Sequence, residues 1–318
     1  MNFKKFFYLI FGDNPVIRFI DHPFLVTIIP AIVGLYYGTL DIWGDDWKWV
    51  TNYKGIHELT FSTLAIVTIV TLILKGISQS LRSKVRARQN TLTEALLDLF
   101  NKLVKKKRDR FYNKAKHLSP RKDVFNLITH PDDQLGHALD ETKNFLIEGL
   151  GIDSKNIGIT IIQGDPHAKT KKWWYFKKCD SQKQHTRPQD LMSYNSTASY
   201  CYKTGDSIFL PDIRKGIKEG VFYESTRSRN GKLGSIFCKP VRITVKNRIY
   251  VYIFTIAVFG QNVCSPIDED DCRACERVFD EIADRIELEL YLYSMKQYRY
   301  KDGTVKGEAR ENAQDINA

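Results

Sequence analysis

The sequence predicts a membrane α-helical hairpin followed by a soluble α/β domain. Two observations predict the hairpin: two long apolar runs near the N-terminus, and a dense block of basic residues directly after the second run. A third observation predicts the α/β domain. Beyond residue 131, amphipathic helical segments alternate with short runs rich in β-branched and aromatic residues. The chain of 318 residues is long enough for both units.

The first predicted span covers residues 23–40, which contain no charged side chain. A helix of this length rises about 27 Å, close to the roughly 30 Å of a bilayer's hydrocarbon core. The second predicted span covers residues 59–80, in which Lys75 is expected to extend its ammonium group to the headgroups. A buried core helix is the alternative for each run. The loop between the runs favours the membrane, because it is rich in tryptophan, which concentrates at bilayer interfaces.

The distribution of charge predicts the orientation of this hairpin, residues 1–81. Basic residues precede the first span and follow the second, whereas the loop between the spans has more acids than bases. The positive-inside rule then places both termini in the cytoplasm and predicts a multi-pass protein of the bacterial inner membrane. Residues 75–122 contain 15 lysines and arginines against three acids. Such a block after an apolar segment favours anionic lipid headgroups as a partner and disfavours direct binding of nucleic acid.

Two sets of small or weakly polar residues within the spans are candidates for helix–helix contacts. The first span carries Gly34 and Gly38, a pair that allows another helix to approach closely. On the second span four threonines fall on one arc of the helix: Thr60, Thr63, Thr68 and Thr71. Their hydroxyls either bond back to backbone carbonyls in packed helices or line a weakly polar pore in an oligomer.

A basic connecting helix is predicted over residues 82–118. Four leucines repeat within it at spacings of 4, 3 and 4: Leu92, Leu96, Leu99 and Leu103. This spacing predicts a short coiled-coil seam and, with it, a homo-oligomer. Packing of the helix on its own domain explains the same spacing, and the two interpretations remain open. Two prolines then mark residues 119–131 as a linker.

The soluble domain is expected over residues 132–298. The residue patterns predict, in order, a helix at 132–149, strands at 157–163 and 173–177, a short helix at 195–202, a strand at 207–210, paired strands at 235–245 and 248–259, and a closing helix at about 268–298. The polar residues 299–318 that follow are expected to be disordered.

This order of elements resembles a GAF domain over about residues 130–295. The resemblance rests on Ser196–Ala198, Thr204–Asp206, Ile208–Asp212, Gly234–Val241, Val251–Phe259 and the acidic run at 268–271. It implies a GAF- or PAS-like antiparallel sheet with flanking helices and a role in sensing a ligand. Asp212 and Ser235 lie within these segments and are candidate ligand-binding residues.

The identity of the ligand does not follow from the resemblance. Cyclic-nucleotide GAF domains carry an Asn-Lys…Phe-x-x-x-Asp-Glu signature, of which this chain matches only Asn262 and Asp271. Two further candidate ligand-binding residues, Trp173 and Trp174, lie in a segment at 169–178 that interleaves aromatic and basic side chains. That composition is typical of an exposed strand or loop, and it also suits an anionic ligand or lipid.

Motifs for catalysis are missing from the sequence. It contains no kinase, cyclase or phosphodiesterase signature, no Walker A motif and no dinucleotide-binding glycine motif, so we expect no enzyme. No cofactor is required by the sequence. Three thiols near the last helix, Cys264, Cys272 and Cys275, lack the fourth ligand of a structural zinc site. Redox sensing is an open alternative for them, and no metal site is predicted.

The overall arrangement is similar to the two-transmembrane effectors of bacterial phage-defence systems. That resemblance implies that the soluble domain detects a small molecule or a protein or nucleoprotein trigger, and that the hairpin then perturbs the membrane. The alternative is a membrane-tethered binding module that passes its ligand state to a separate protein. Both hypotheses follow from the lack of any catalytic module in the sequence.

Overall fold

The computed structural model describes residues 23–43, 46–117, 129–165, 172–180, 186–193, 196–222 and 233–299. The chain divides into two compact units, with the boundary between Arg88 and Gln89. The predicted linker at 119–131 and the predicted tail at 299–318 lie almost wholly outside the described residues.

The first unit is helical. Helix α1 spans Pro23–Trp43, the short helix α2 spans Lys48–Asn52, and helix α3 begins at Lys54. Aromatic side chains join α1 to the start of α3: the rings of Tyr37 and Phe61 lie 4.6 Å apart. The two apolar runs predicted from the sequence therefore both form helices.

Helix α3 is a single helix of 62 residues, Lys54–Ala115, and it extends from the first unit into the second. The sequence contains no proline anywhere in this range, so no backbone donor is missing from the helical ladder. The predicted second span and the predicted connecting helix are thus parts of one element rather than two.

The second unit contains a five-stranded antiparallel sheet in the order β2-β1-β5-β4-β3. Its strands are β1 Ile157–Asp165, β2 Lys172–Asp180, β3 Ile208–Leu210, β4 Gly234–Val245 and β5 Arg248–Phe259. A two-residue turn joins β4 to β5, and Lys246 in this turn has a φ of 50°. The strands predicted from alternation and β-branched residues are all confirmed.

Within the described ranges of the second unit, five α-helices accompany α3. They are α4 Pro131–Asn144, α5 Pro188–Ser193, α6 Thr197–Thr204, α7 Ile213–Lys218 and α8 Glu269–Gln297. A π-helical turn, Phe145–Gly149, continues α4. The predicted helices are confirmed here, whereas α5 and α7 were not predicted, because six residues are too few to show a helical period.

Side chains on the two faces of the sheet form two separate cores. The larger core contains alternate residues of β1, β4 and β5 together with Leu135 of α4 and Phe279 of α8. The smaller core lies on the opposite face and is formed by Ile162, Ala198, Cys201, Cys238 and Ile253. Both faces of the sheet are therefore covered, which explains why β5 is apolar at nearly every position.

Candidate functional site

The apolar part of α3 is the candidate membrane-facing surface. Among the described residues, Lys54–Ile77 is the one helical stretch long and apolar enough to cross a bilayer, judged by length and composition, and no residue of its apolar 18-residue window is buried in the chain. Large aliphatic side chains such as Ile66, Ile69 and Ile73 are exposed along it. A contiguous surface of this kind is unfavourable in water, so it requires cover by lipid or by another protein surface.

The four threonines of this stretch hydrogen-bond within their own helix. Each hydroxyl donates to the carbonyl four residues earlier, at 2.7–2.8 Å: Thr60, Thr63, Thr68 and Thr71. This geometry satisfies the hydroxyl donors without water or a neighbouring helix. It agrees with the helix-packing interpretation of these residues, and pore lining in an oligomer stays a prediction.

The paired glycines of α1 are open to a neighbouring helix. In the described part of the chain, no atom lies within 4 Å of a Cβ placed on Gly34 or on Gly38. The close helix approach that their spacing allows is therefore not made within the described chain, and the predicted contact with another copy stays a prediction.

A histidine that sequence reasoning missed lies at the start of α3. His57 is nearly buried; its Nδ1 atom is hydrogen-bonded to the Tyr36 hydroxyl, and its ring centroid lies 4.2 Å from that of Trp49. These contacts hold α1, α2 and α3 together at one end of the first unit. A lone histidine carries no sequence signal for such a role, because its partners come from separate helices.

Ser235, one of the predicted ligand-binding residues, joins three segments of the second unit. Its hydroxyl donates to the carbonyl of Pro211 at 2.8 Å and accepts from the backbone N–H of Val263 at 3.0 Å. The side chain is buried at the start of β4. Ser235 therefore connects the strand to the segment that leads into α7 and to the loop after β5, which is a structural role.

Asp212 lies beside this connection and caps α7. Its carboxylate accepts from the backbone N–H of Arg214 at 3.0 Å and from the Arg214 guanidinium at 2.8 Å. An aspartate at this position satisfies a donor that the first turn of a helix leaves without a partner. Both oxygens of the Asp212 carboxylate therefore accept hydrogen bonds from Arg214, two residues later in the chain.

Replacing Asp212 with asparagine tests this ion pair, because asparagine retains the cap but not the charge. We expect a loss of about 0.5 kcal/mol at neutral pH, the size of a solvent-screened pair. Hydrogen bonding to Arg214 holds the pKa of the Asp212 carboxyl below its ordinary value. Such a group stabilises the fold above its unfolded pKa, and this contribution disappears as the pH falls through the folded pKa. The difference in thermal midpoint should therefore shrink below about pH 4; a constant difference would contradict this assignment.

The two predicted tryptophans lie on opposite faces of β2. Trp173 packs beside the smaller core, with its ring centroid 5.0 Å from that of Tyr202, and its indole covers Gly164, where any Cβ would clash. Trp174 points to the other face and remains 39% exposed. Only Trp174 therefore presents a substantial aromatic surface to solvent.

The four predicted ligand-binding residues do not converge on one site. Ser235 lies in the same row of the sheet as Ile157, whereas Trp173 pairs with Gly164. These two rows are separated by seven residues along β1, which corresponds to about 23 Å. The serine and the tryptophans thus lie at opposite ends of the sheet.

The leucine repeat of α3 packs into the larger core of its own domain. Leu92, Leu99 and Leu103 are buried there, and Leu96 is partly buried against the same core. The prediction of a coiled-coil seam between two copies is therefore wrong for these four leucines. The alternative interpretation, packing on the helix's own domain, is correct, because a 4-3-4 spacing serves any partner along one face of a helix.

Polar contacts fix the same part of α3 to the domain. The Lys107 ammonium donates to the carboxylate of Glu289 on α8 at 2.6 Å, and Glu289 is nearly inaccessible to solvent. The Gln134 side chain on α4 donates to the carbonyl of Leu103 at 3.3 Å. A groove of about 260 Å³ separates α3 from the start of α8, and it is lined by Gln89, Leu92, Thr93, Asp270, Arg273, Ala274, Arg277 and Val278.

No family model matches the sequence, and no curated protein matches it. Within the described ranges, no group of three or more histidine, cysteine or acidic side chains is arranged to hold a metal ion.

Proposed function

We propose that the protein is a membrane effector whose soluble domain senses a ligand or partner and acts on the bilayer through α3. The observation that carries this proposal is the continuity of α3. One helix contains both the candidate membrane span, Lys54–Ile77, and the leucines buried in the core of the α/β domain. A displacement of that helix within the domain is transmitted along its axis, because an α-helix is stiff over this length.

A protein that is only anchored to a membrane does not need a helix that runs from the span into the core of its domain. A flexible linker between span and domain is sufficient to tether a binding module to a membrane. Here the helix instead enters the core, and Lys107 and Gln134 add polar contacts to the buried leucines. Because a packed core holds a few discrete arrangements rather than a continuum, it suits the switching element of an effector.

The sensing role rests on the resemblance to GAF domains. The antiparallel five-stranded sheet flanked by helices supports it. We propose two membrane spans, formed by α1 and the start of α3, with both termini in the bacterial cytoplasm. The setting of antiviral defence rests on the resemblance of architecture alone.

Exchange of the hairpin tests the effector function. Cells that overproduce the full-length chain are expected to lose membrane potential, as followed with a voltage-sensitive dye. A variant in which residues 23–77 are replaced by an unrelated two-span hairpin, with the helix kept in phase, should insert equally well and leave the potential intact. Equal depolarisation by both chains would count against an effector. So would the lack of depolarisation by either chain when the native neighbouring genes are also expressed.

The second candidate function is a membrane-tethered binding module that signals to a separate protein. The exposed Trp174 and the groove between α3 and α8 favour it, because both offer a surface to a soluble partner. In this case the exchanged hairpin retains full function, and the partner co-purifies with both chains. The same pair of chains therefore distinguishes the two hypotheses.

A further inference from the structure

Three thiols lie together where the loop after β5 enters α8. Cys264 belongs to the loop, and Cys272 and Cys275 belong to the first two turns of the helix. The Sγ atoms of Cys264 and Cys272 are 3.5 Å apart, and the Cys264 thiol also interacts with that of Cys275. All six cysteines of the chain are reduced in this structure. Two of these three sulfur atoms are thus already in van der Waals contact without a bond.

We propose that Cys264 and Cys272 form an oxidation site, which hydrogen peroxide converts into an intramolecular disulfide. In the first step the Cys272 thiolate attacks one peroxide oxygen, the O–O bond breaks, the other oxygen departs as hydroxide, and Cys272 becomes a sulfenic acid. In the second step the Cys264 sulfur attacks the Cys272 sulfur and the sulfenic oxygen leaves as water. Two thiols and one peroxide yield one disulfide and two waters, so atoms and electrons balance.

Exposure assigns the order of these steps. Cys272 is partly exposed, whereas Cys264 is nearly buried, so a small oxidant in solution meets Cys272 first. Burial and the neighbouring Asp271 carboxylate raise the pKa of the Cys272 thiol, so its reaction is slow compared with that of a low-pKa sensor thiol. The Cys264 sulfur then needs to approach by about 1.5 Å to reach disulfide bonding distance.

The surroundings allow this approach. Cys264 lies in the loop before α8 rather than in a strand or helix, and the Cys272 thiol donates only to the carbonyl of Ser265 in the same loop and is close to Cys264. The bond would join the loop to the first turn of α8, whose Asp270 and Arg273 line the groove facing α3. The assignment of the disulfide does not depend on the proposed function.

Peptide mapping of the full-length protein tests the proposal directly. Trypsin releases residues 249–273 as one peptide that contains both Cys264 and Cys272, whereas Cys275 falls in the next peptide, 274–277. After treatment with hydrogen peroxide and alkylation of the remaining thiols, we expect peptide 249–273 without alkyl groups and lighter by two hydrogens. The same peptide should carry two alkyl groups when a reductant precedes alkylation.

Two variants and one internal reference complete the test. Cys272→Ser should abolish the lighter peptide, and Cys275→Ser should leave it in place. Cys179, a partly exposed thiol on β2, serves as the reference for general oxidation. The proposal is overturned if peptide 249–273 remains doubly alkylated at peroxide concentrations that oxidise half of Cys179. A cross-link between peptides 249–273 and 274–277 in place of the internal bond also overturns it.

Discussion

Replacing Leu99 with alanine is expected to lower the free energy of unfolding of the α/β domain by about 3 kcal/mol. Leu99 is only 3% exposed and packs in the larger core, so truncation removes buried methyl groups and leaves a cavity. Denaturant unfolding of the full-length protein in detergent, followed by circular dichroism and by hydrogen exchange of β5 amides, measures this loss.

Leu97 provides the matched control on the same helix. It lies two residues away and is 56% exposed, so its replacement by alanine should change stability by less than about 0.5 kcal/mol. Equal losses of stability for the two variants would contradict the assignment of Leu99 to the buried face of α3 and of Leu97 to its exposed face. A change in oligomeric state for Leu99→Ala without loss of domain stability would restore the coiled-coil interpretation.

Removing the carboxylate of Glu289 is expected to have a similarly large effect. Glu289 is almost completely buried and accepts from Lys107 at 2.6 Å, so Glu289→Ala leaves an ammonium group in a poorly solvated position without its partner. Loss of one member of a buried ion pair destabilises a protein by about 3 kcal/mol. Thermal and denaturant unfolding of the full-length protein measure the effect.

A double variant separates the net contribution of the ion pair to stability from the loss of stability caused by leaving one charge without its partner. Lys107→Met combined with Glu289→Leu replaces both charges with apolar groups of similar size and should recover most of the lost stability. Arg273→Ala, which breaks an exposed pair with Glu269, should have almost no effect. If the double variant is as unstable as Glu289→Ala, the loss comes from packing and not from an isolated charge.

The sequence predicted a helix or strand correctly wherever its apolar residues follow a regular pattern over many residues. Strands β4 and β5 were predicted to within one residue at their starts, because each alternates or is continuously apolar over 12 residues and a short turn separates them. The π-helical turn at Phe145–Gly149 was included in a longer predicted helix, since its residues continue the same apolar face. Helices α5 and α7 gave no such signal.

Which surface a buried helix face packs against is harder to predict than which residues form that face. The leucine repeat from Leu92 to Leu103 correctly identified a buried stripe, but spacing alone does not distinguish a second copy from the chain's own core. Similarly, Ser235 and Asp212 were predicted to bind a ligand, and the structure shows hydrogen bonds from each to groups of the chain itself. The contact between Lys107 and Glu289 joins residues separated by 182 positions, and a sequence contains no local sign of it.

Insertion of alanines into α3 between Ser83 and Lys84 tests whether the domain acts on the membrane through one continuous helix. Seven inserted residues restore the helical phase to within about 20°, whereas two rotate the span by about 200° relative to the domain. Both variants retain the span and the domain, so membrane fractionation should show equal insertion. Cells that produce the seven-residue variant are expected to lose membrane potential as the wild type does, whereas cells that produce the two-residue variant are expected to keep it. Equal depolarisation by the wild type and both variants would contradict action through one continuous helix.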